Sequence, residues 1–195
     1  MVAGAVVAAA VGTIVYHVAK DRPTPIIPDM ANPGAPASDR PGGAAPDISR
    51  MSARERFDRL YDRIMLAVER GDSATVTGFA PMALGAYAQL DTIDTDARYH
   101  VAMIELMTGS WSAAEALADT IQQETPGHLF IYVIRGEAAT RQGQTSALTR
   151  NYGEFLDRYD AEMRADRVEY REHRPVLDDF RRRATAAIRG EGGLR

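Results

Sequence analysis

The residues of this chain best suited to acid–base chemistry or metal binding are its four histidines, which are scattered along the sequence. His173 follows Glu169 by four residues, so both side chains would share one face of a helix. A metal pair there is conceivable, but two ligands without a third make a weak case. A surface ion pair or a capping contact near Pro175 is the favoured interpretation. The other histidines are His17, His100 and His128.

Other reactive groups lack the partners that catalysis needs. Ser110 and Ser112 have no base nearby and are typical of a turn. Asp178 and Asp179 are expected on a solvated helix, without a dry pocket to raise a carboxyl pKa. The chain has no cysteine, which excludes disulfides and thiol catalysis, and no Gly-rich phosphate loop follows a strand-like segment. The sequence therefore predicts a protein that is not an enzyme, with no catalytic residue, metal site or cofactor.

Length and composition narrow the class of protein further. The 195 residues suffice for one domain and an appendage. A net charge of −4 argues against nucleic acid as a partner. Lys20 is the single lysine among 23 basic residues, and the remainder are arginine. Together with abundant Ala and Gly, this bias suggests a GC-rich bacterial genome.

An almost uncharged segment at residues 2–19 predicts a transmembrane anchor over residues 1–20. Tyr16, His17 and Lys20 stand at one end, where amphipathic and basic groups favour the membrane interface. A cleaved signal peptide would need a basic segment before the apolar run and a small-residue cleavage site after it. Neither is evident, so a retained single-pass anchor is favoured.

Small residues at four-residue spacing within this segment would let another membrane helix approach closely. An anchor without a specific partner is about as compatible with the pattern. The expected anchor and packing positions are Gly4, Ala8, Val11, Gly12, Val15 and Tyr16.

The location is predicted as a bacterial inner membrane, with the side of the soluble domain left open. Lys20 and Arg22 follow the span and no basic side chain precedes it, which favours a cytoplasmic domain. That rule weakens when a long domain follows, so a periplasmic domain is the alternative.

Residues 21–49 have the composition of a Pro/Ala/Gly-rich linker, which favours extended and semi-rigid chain. Ile26 and Ile27 lie between two prolines, Pro25 and Pro28, and could dock into a partner's groove. Contact with the membrane surface or with the chain's own domain is the favoured alternative.

Glycine turns between apolar helical segments repeat in the second half of the chain. Gly109 and Gly143 are 34 residues apart (143 − 109), and each ends one helical segment and precedes another. Trp111 and Ala114 follow the first glycine, and Pro126 ends the unit. This pattern resembles the tetratricopeptide-repeat (TPR) family, whose repeats are helical hairpins. The resemblance implies a surface that holds other proteins, and it does not name the partner.

The predicted fold is therefore all-α, with three TPR-like antiparallel hairpins and a capping helix over residues 50–190, one N-terminal transmembrane helix, and a flexible tail at 191–195. A capping box at Ser52 and Glu55 begins the first helix, and Pro81 is expected to break or kink the second. Asp96 is expected to cap the third. The expected core residues are Phe57, Tyr61, Trp111, Ala114, Pro126, Tyr132 and Phe155.

Two positions depart from the TPR pattern. Arg98 and Glu105 stand where the family prefers large apolar or aromatic residues, which puts a regular concave groove in doubt. With Ile26 and Ile27 they are candidates for partner docking. The resemblance also implies that Trp111 packs between the helices of its hairpin, in preference to serving as a binding platform.

The leading functional hypothesis is a non-catalytic, membrane-anchored scaffold subunit that binds and stabilises a larger bacterial membrane complex, respiratory or photosynthetic. Its expected partners are other protein subunits and the lipid bilayer, through the N-terminal helix. The alternative is a periplasmic chaperone or assembly factor that binds client peptides in a repeat groove.

Overall fold

A computed structural model describes residues 51–190, and these form eight α-helices with no strand among them. The predicted anchor (1–20), the linker (21–49) with Ile26 and Ile27, and the tail (191–195) lie outside the described residues. Within 51–190, no helix combines the length and apolar character that a membrane span requires. The helices are α1 (Ala53–Glu69), α2 (Ser73–Tyr87), α3 (Thr95–Thr108), α4 (Trp111–Glu124), α5 (Leu129–Arg141), α6 (Thr145–Arg164), α7 (Val168–Glu172) and α8 (Arg174–Ile188).

Helix α1 begins at the predicted capping box. Ser52 Oγ accepts a hydrogen bond from the Glu55 backbone N–H at 3.1 Å. The Glu55 carboxylate in turn accepts from the Ser52 backbone N–H at 2.8 Å. These two bonds satisfy donors that have no partner within the helix, so local sequence is enough to set this start.

Glycine turns connect the helices of each hairpin. Gly71, Gly109 and Gly143 adopt left-handed φ angles of +68°, +83° and +66°, a conformation that costs glycine little and other residues more. Each stands where the first helix of a pair has just ended. The chain therefore reverses three times, giving the antiparallel pairs α1–α2, α3–α4 and α5–α6.

The three hairpins pack side by side. Helix α3 contacts both α1 and α5, so the first helices of the hairpins are neighbours. Helices α3 and α5 are buried on most sides, whereas α4 buries only Ala114, Ala118 and Ile121. The result is an all-α arrangement of helical hairpins that is compatible with a helical repeat fold.

Helix α8 closes the carboxyl-terminal end of this array by packing on α6 and α5. Its Phe180 is fully buried, with ring centroids 4.8 Å from Phe155 and 5.1 Å from Tyr152. Gly136 on α5 makes the approach possible, because a Cβ there would lie 2.5 Å from the Phe180 ring. A small residue on α5 is thus matched to a large one on α8.

Two local predictions differ from the structure: Pro81 does not break α2, and Asp96 does not cap α3. Helix α2 runs without a break from Ser73 to Tyr87 and includes Pro81, whose missing N–H leaves the Thr77 carbonyl without its usual helical partner. Packing of Val76, Ala80 and Ala83 in the core offsets this local cost. The residue that caps α3 is Asp94, which accepts from the Ala97 backbone N–H at 2.8 Å, and not Asp96.

Two residues expected in the core are not part of it. Trp111 is 38% exposed, because it is the first residue of α4 and precedes the stripe that this helix buries. Pro126 is exposed in the loop between α4 and α5, where it acts on backbone conformation without filling space. The remaining expected core residues are buried: Phe57, Tyr61, Ala114, Tyr132 and Phe155.

Candidate functional site

Two side chains of helix α3 meet a third that is distant in sequence, and we refer to Asp96, His100 and His173 as the Asp–His–His cluster. His173 Nε2 lies 2.8 Å from Asp96 Oδ1 and 3.1 Å from His100 Nε2. His100 Nε2 lies 3.6 Å from the same Asp96 oxygen. Asp96 and His100 are four residues apart and share one face of α3, while His173 comes from the junction of α7 and α8.

A network of charges orients the carboxylate of Asp96. Arg54 Nη2 donates to Asp96 Oδ2 at 2.6 Å, which leaves Oδ1 facing the imidazoles. The same guanidinium donates to Asp94 at 2.7 Å and to Asp58 at 2.9 Å. Arg54 therefore ties α1 to the first turn of α3 and holds the Asp96 oxygens in a defined direction.

The imidazole of His100 is buried in aromatic surroundings. Its ring stacks on Tyr61 with centroids 3.8 Å apart and planes inclined by 12°. Its Nδ1 is buried and has no hydrogen-bond partner. Burial lowers the pKa of His100 to about 4, despite the opposing charge of Asp96. The ring is therefore neutral at pH 7, and its polar contacts are confined to the Nε2 edge.

The pKa of Asp96 lies below its usual range. Burial opposes ionisation of this carboxyl, but the hydrogen bond from His173 and the positive charge of Arg54 outweigh it. Asp96 is thus a carboxylate at neutral pH, next to two imidazole nitrogens.

A second group of polar side chains surrounds the start of α5. His128 is fully buried, and its Nδ1 accepts from the Phe130 backbone N–H at 3.3 Å. Its Nε2 lies 3.2 Å from the Glu169 carboxylate. The sequence suggested Glu169 as a partner of His173, but the structure pairs it with His128, because the short α7 directs the two side chains to different neighbours.

Stability should depend on the protonation of His128. Burial lowers its pKa, although the charge of Glu169 partly opposes this; Arg167 lowers it further and Glu162 raises it. Unfolding restores a pKa of about 6.5, so the unfolded chain binds more protons below that pH. We therefore expect the melting temperature to fall as the pH is lowered from about 7 to 5.

The variant His128→Asn isolates this contribution, because asparagine keeps an acceptor for the helix cap and does not titrate. Melting curves at several pH values should show a shallower pH dependence for the variant than for the wild type. Parallel curves would contradict the assignment and place the acid sensitivity elsewhere.

Helix α2 presents an exposed surface without charge. Residues 73–90 contain no Asp, Glu, Lys, Arg or His, although 26% of the whole chain is charged. Met82 is 56% exposed, and a Cβ added to Gly78 or Gly85 would meet no atom within 4 Å. We call this surface the α2 face; its exposed residues, at helical spacing, are Ala74, Thr77, Gly78, Pro81, Met82 and Gly85.

The two predicted docking positions within the described residues, Arg98 and Glu105, are both half-buried on α3. Arg98 donates to Glu124 at 2.8 Å and to the Ile93 carbonyl at 2.9 Å, so it ties α3 to α4. Neither docking position belongs to the α2 face.

The sequence alone did not predict the Asp–His–His cluster or the α2 face, and each has a physical reason. His173 is 73 residues from His100 and 77 from Asp96, so no local motif links them. The i, i+4 spacing of Asp96 and His100 was a usable signal, because such a pair on one helix face is a common half of a metal or hydrogen-bonding site. For α2, the signal was the absence of charge from a helix that ends up on the surface.

Residues 51–190 thus form an all-α array of antiparallel helical hairpins. Comparison with models of protein families, with curated proteins and with solved structures finds no match.

Proposed function

We propose that this protein is a non-catalytic scaffold subunit of a bacterial membrane complex, built from TPR-like hairpins. In this proposal residues 1–20 anchor it in the membrane, and the α2 face packs on an apolar helix of a neighbouring subunit. The observation that carries the proposal is the α2 face itself, an exposed helical surface without a charged side chain.

The two ends of the hairpin array differ in a way that supports a covered α2. A terminal element of a helical array normally keeps a polar outer face for solubility. Helix α8 follows this rule, with Arg181, Arg182 and Arg189 exposed. In the first hairpin, α2 exposes Met82 and Pro81 instead. A partner that buries this face would remove apolar surface from water.

The partner that fits this surface is an uncharged helix. The α2 face has no side chain at Gly78 and Gly85 and no neighbouring atom above them, so a second helix could approach its backbone closely. The residues of the α2 face supply no counter-charge to a charged partner and no unpaired sheet edge to an extended one. A helix of another subunit is therefore the occupant that we propose.

The alternative, a chaperone that holds client peptides in a repeat groove, is less well supported. Tyr170 and His173 already lie against the first turns of α5 and α3. A client that followed the first helices of the hairpins would have to displace these side chains and their hydrogen bonds.

The test is a mild-detergent purification from native membranes with a variant that blocks the α2 face. Gly78→Arg adds a long charged side chain where the structure has open space, and replacing glycine in a helix interior raises helix propensity by up to about 1 kcal/mol. We expect a fixed set of subunits to co-purify with the wild type at constant stoichiometry, and this set to be lost with Gly78→Arg.

Gly153→Arg is the matched control, because Gly153 on α6 also has open space around it. This variant should retain the partners. Equal retention by both variants would overturn the role of α2, and a variable set of substoichiometric clients would favour the chaperone. Self-association that only Gly78→Arg abolishes would identify a second copy of the chain as the occupant.

A further inference from the structure

Independently of any partner, we infer that the Asp–His–His cluster binds a divalent transition-metal ion, with Zn²⁺ as the best fit. The ligand atoms would be Asp96 Oδ1, His100 Nε2 and His173 Nε2. The ion would join helix α3 to the junction of α7 and α8.

The size of the cluster suits such an ion. Zn²⁺ bonds of about 2.0–2.1 Å in tetrahedral geometry place neighbouring ligand atoms about 3.3–3.4 Å apart. The three atoms here are separated by 2.8, 3.1 and 3.6 Å. They form a triangle of the required dimensions, and small side-chain rotations would equalise its edges. Two imidazoles and one carboxylate are a common ligand set for catalytic or three-ligand zinc sites, in which water takes the fourth position.

Hydrogen bonding alone does not explain this arrangement. If His173 Nε2 carries a proton, it donates to Asp96, and the neutral ring of His100 has two possible tautomers. A proton on His100 Nε2 would point at the proton of His173. A proton on His100 Nδ1 would be buried without an acceptor. Without a proton on His173 Nε2, two acceptors lie 2.8 Å apart. A bound ion removes the conflict between the Nε2 atoms, since both imidazoles then supply lone pairs to it.

The surroundings also favour a cation. Arg54 holds the second oxygen of Asp96 at 2.6 Å, which is the outer-sphere support typical of a metal-bound carboxylate. Asp58 and Asp94 flank the same guanidinium, so three carboxylates surround one positive charge and the network is net negative. The side chains of Asp96, His100 and His173 are 12%, 11% and 15% exposed, so the site is shielded yet reachable from solvent.

The test uses the full-length protein, stripped of metal with a chelator and titrated with Co²⁺ and with Zn²⁺. Co²⁺ in a tetrahedral site of this kind gives visible d–d absorption, which Zn²⁺ should abolish by displacement. We expect about one ion per chain and a higher melting temperature with Zn²⁺, because an ion that binds only the folded state stabilises it.

Two variants locate the ion, so that the test still stands if one of them fails to fold. His100→Phe keeps the stacking on Tyr61 and removes a ligand, and His173→Gln removes a ligand from the other segment. Each variant should lower the affinity for Co²⁺ and Zn²⁺ by more than the roughly 10–100-fold that the loss of an outer-sphere partner typically causes. His128→Asn is the matched control, because it removes a histidine outside the cluster and should leave binding unchanged.

The inference is overturned if the wild type shows no saturable Co²⁺ or Zn²⁺ binding. It is equally overturned if binding survives in both His100→Phe and His173→Gln, since the ion would then lie elsewhere. Neither result depends on whether the α2 face holds a partner, so this test and the co-purification test fail separately.

Discussion

Phe180→Ala is expected to lower the free energy of unfolding by about 3–5 kcal/mol, the largest effect of any substitution considered for this protein. The side chain is fully buried and packs against Phe155 and Tyr152. It also fills the space over Gly136, where its ring atoms are the nearest neighbours of a Cβ position. Removal of the ring therefore leaves a cavity and loosens α8 from both α5 and α6.

The measurement is equilibrium unfolding in denaturant, followed by circular dichroism and by the fluorescence of the single tryptophan, Trp111. Ile188→Ala is the matched control on the same helix, because Ile188 is 50% exposed and its loss should cost less than about 1 kcal/mol. Similar losses for both variants would contradict the view that α8 is held mainly through Phe180.

Tyr170→Phe should lower the free energy of unfolding by about 2–3 kcal/mol, which is large for the loss of one hydroxyl. Tyr170 is 1% exposed. Its hydroxyl accepts from the Leu129 backbone N–H at 2.9 Å and donates to Glu162 at 2.8 Å. Phenylalanine would leave a buried N–H at the start of α5 without an acceptor and would remove one donor from a carboxylate.

Tyr159→Phe is the control for this prediction. Its hydroxyl donates to Asp178 at 2.6 Å, but the Asp178 side chain is 40% exposed and water can take the place of the donor. That variant should cost less than about 1 kcal/mol. Amide hydrogen exchange gives a second measurement: the Leu129 N–H should exchange faster in Tyr170→Phe, and unchanged protection would show that another group satisfies it.

Tyr170 and Phe180 together explain how the carboxyl-terminal segment is held on the hairpins. Phe180 secures α8 on α5 and α6, and Tyr170 secures α7 on the first turn of α5. Because His173 stands between them, its position beside Asp96 depends on both contacts. Metal binding at the Asp–His–His cluster would therefore report on the docking of this whole segment.

Features that depend on local interactions could be predicted from the sequence. The capping box of Ser52 and Glu55 and the glycine turns at Gly109 and Gly143 involve residues within a few positions of one another. Their energetics are nearly independent of the rest of the fold. The division into antiparallel hairpins followed from them, because a short glycine turn between two helices leaves little choice but reversal.

Features that depend on packing between distant segments could not be predicted from the sequence. Trp111 has the large apolar side chain that is typical of a core residue, and it is exposed because it is the first residue of α4. Pro81 has the chemistry of a helix breaker, yet the packing of α2 on α1 holds the helix intact around it. In both cases tertiary context outweighed an intrinsic preference of the residue.

The sequence by itself determined that the domain is all-α, where most of its helices begin and end, and that the chain reverses at glycines. The tertiary structure alone decided which distant side chains meet. The Asp–His–His cluster exists because Tyr170 and Phe180 dock the α7–α8 segment on α5 and α6, which brings His173 to residues of α3 more than 70 positions away. The physical reason is range: caps and turns act within one helical turn, whereas a site of this kind is assembled by the burial of apolar surface between elements that have no local means of recognising one another.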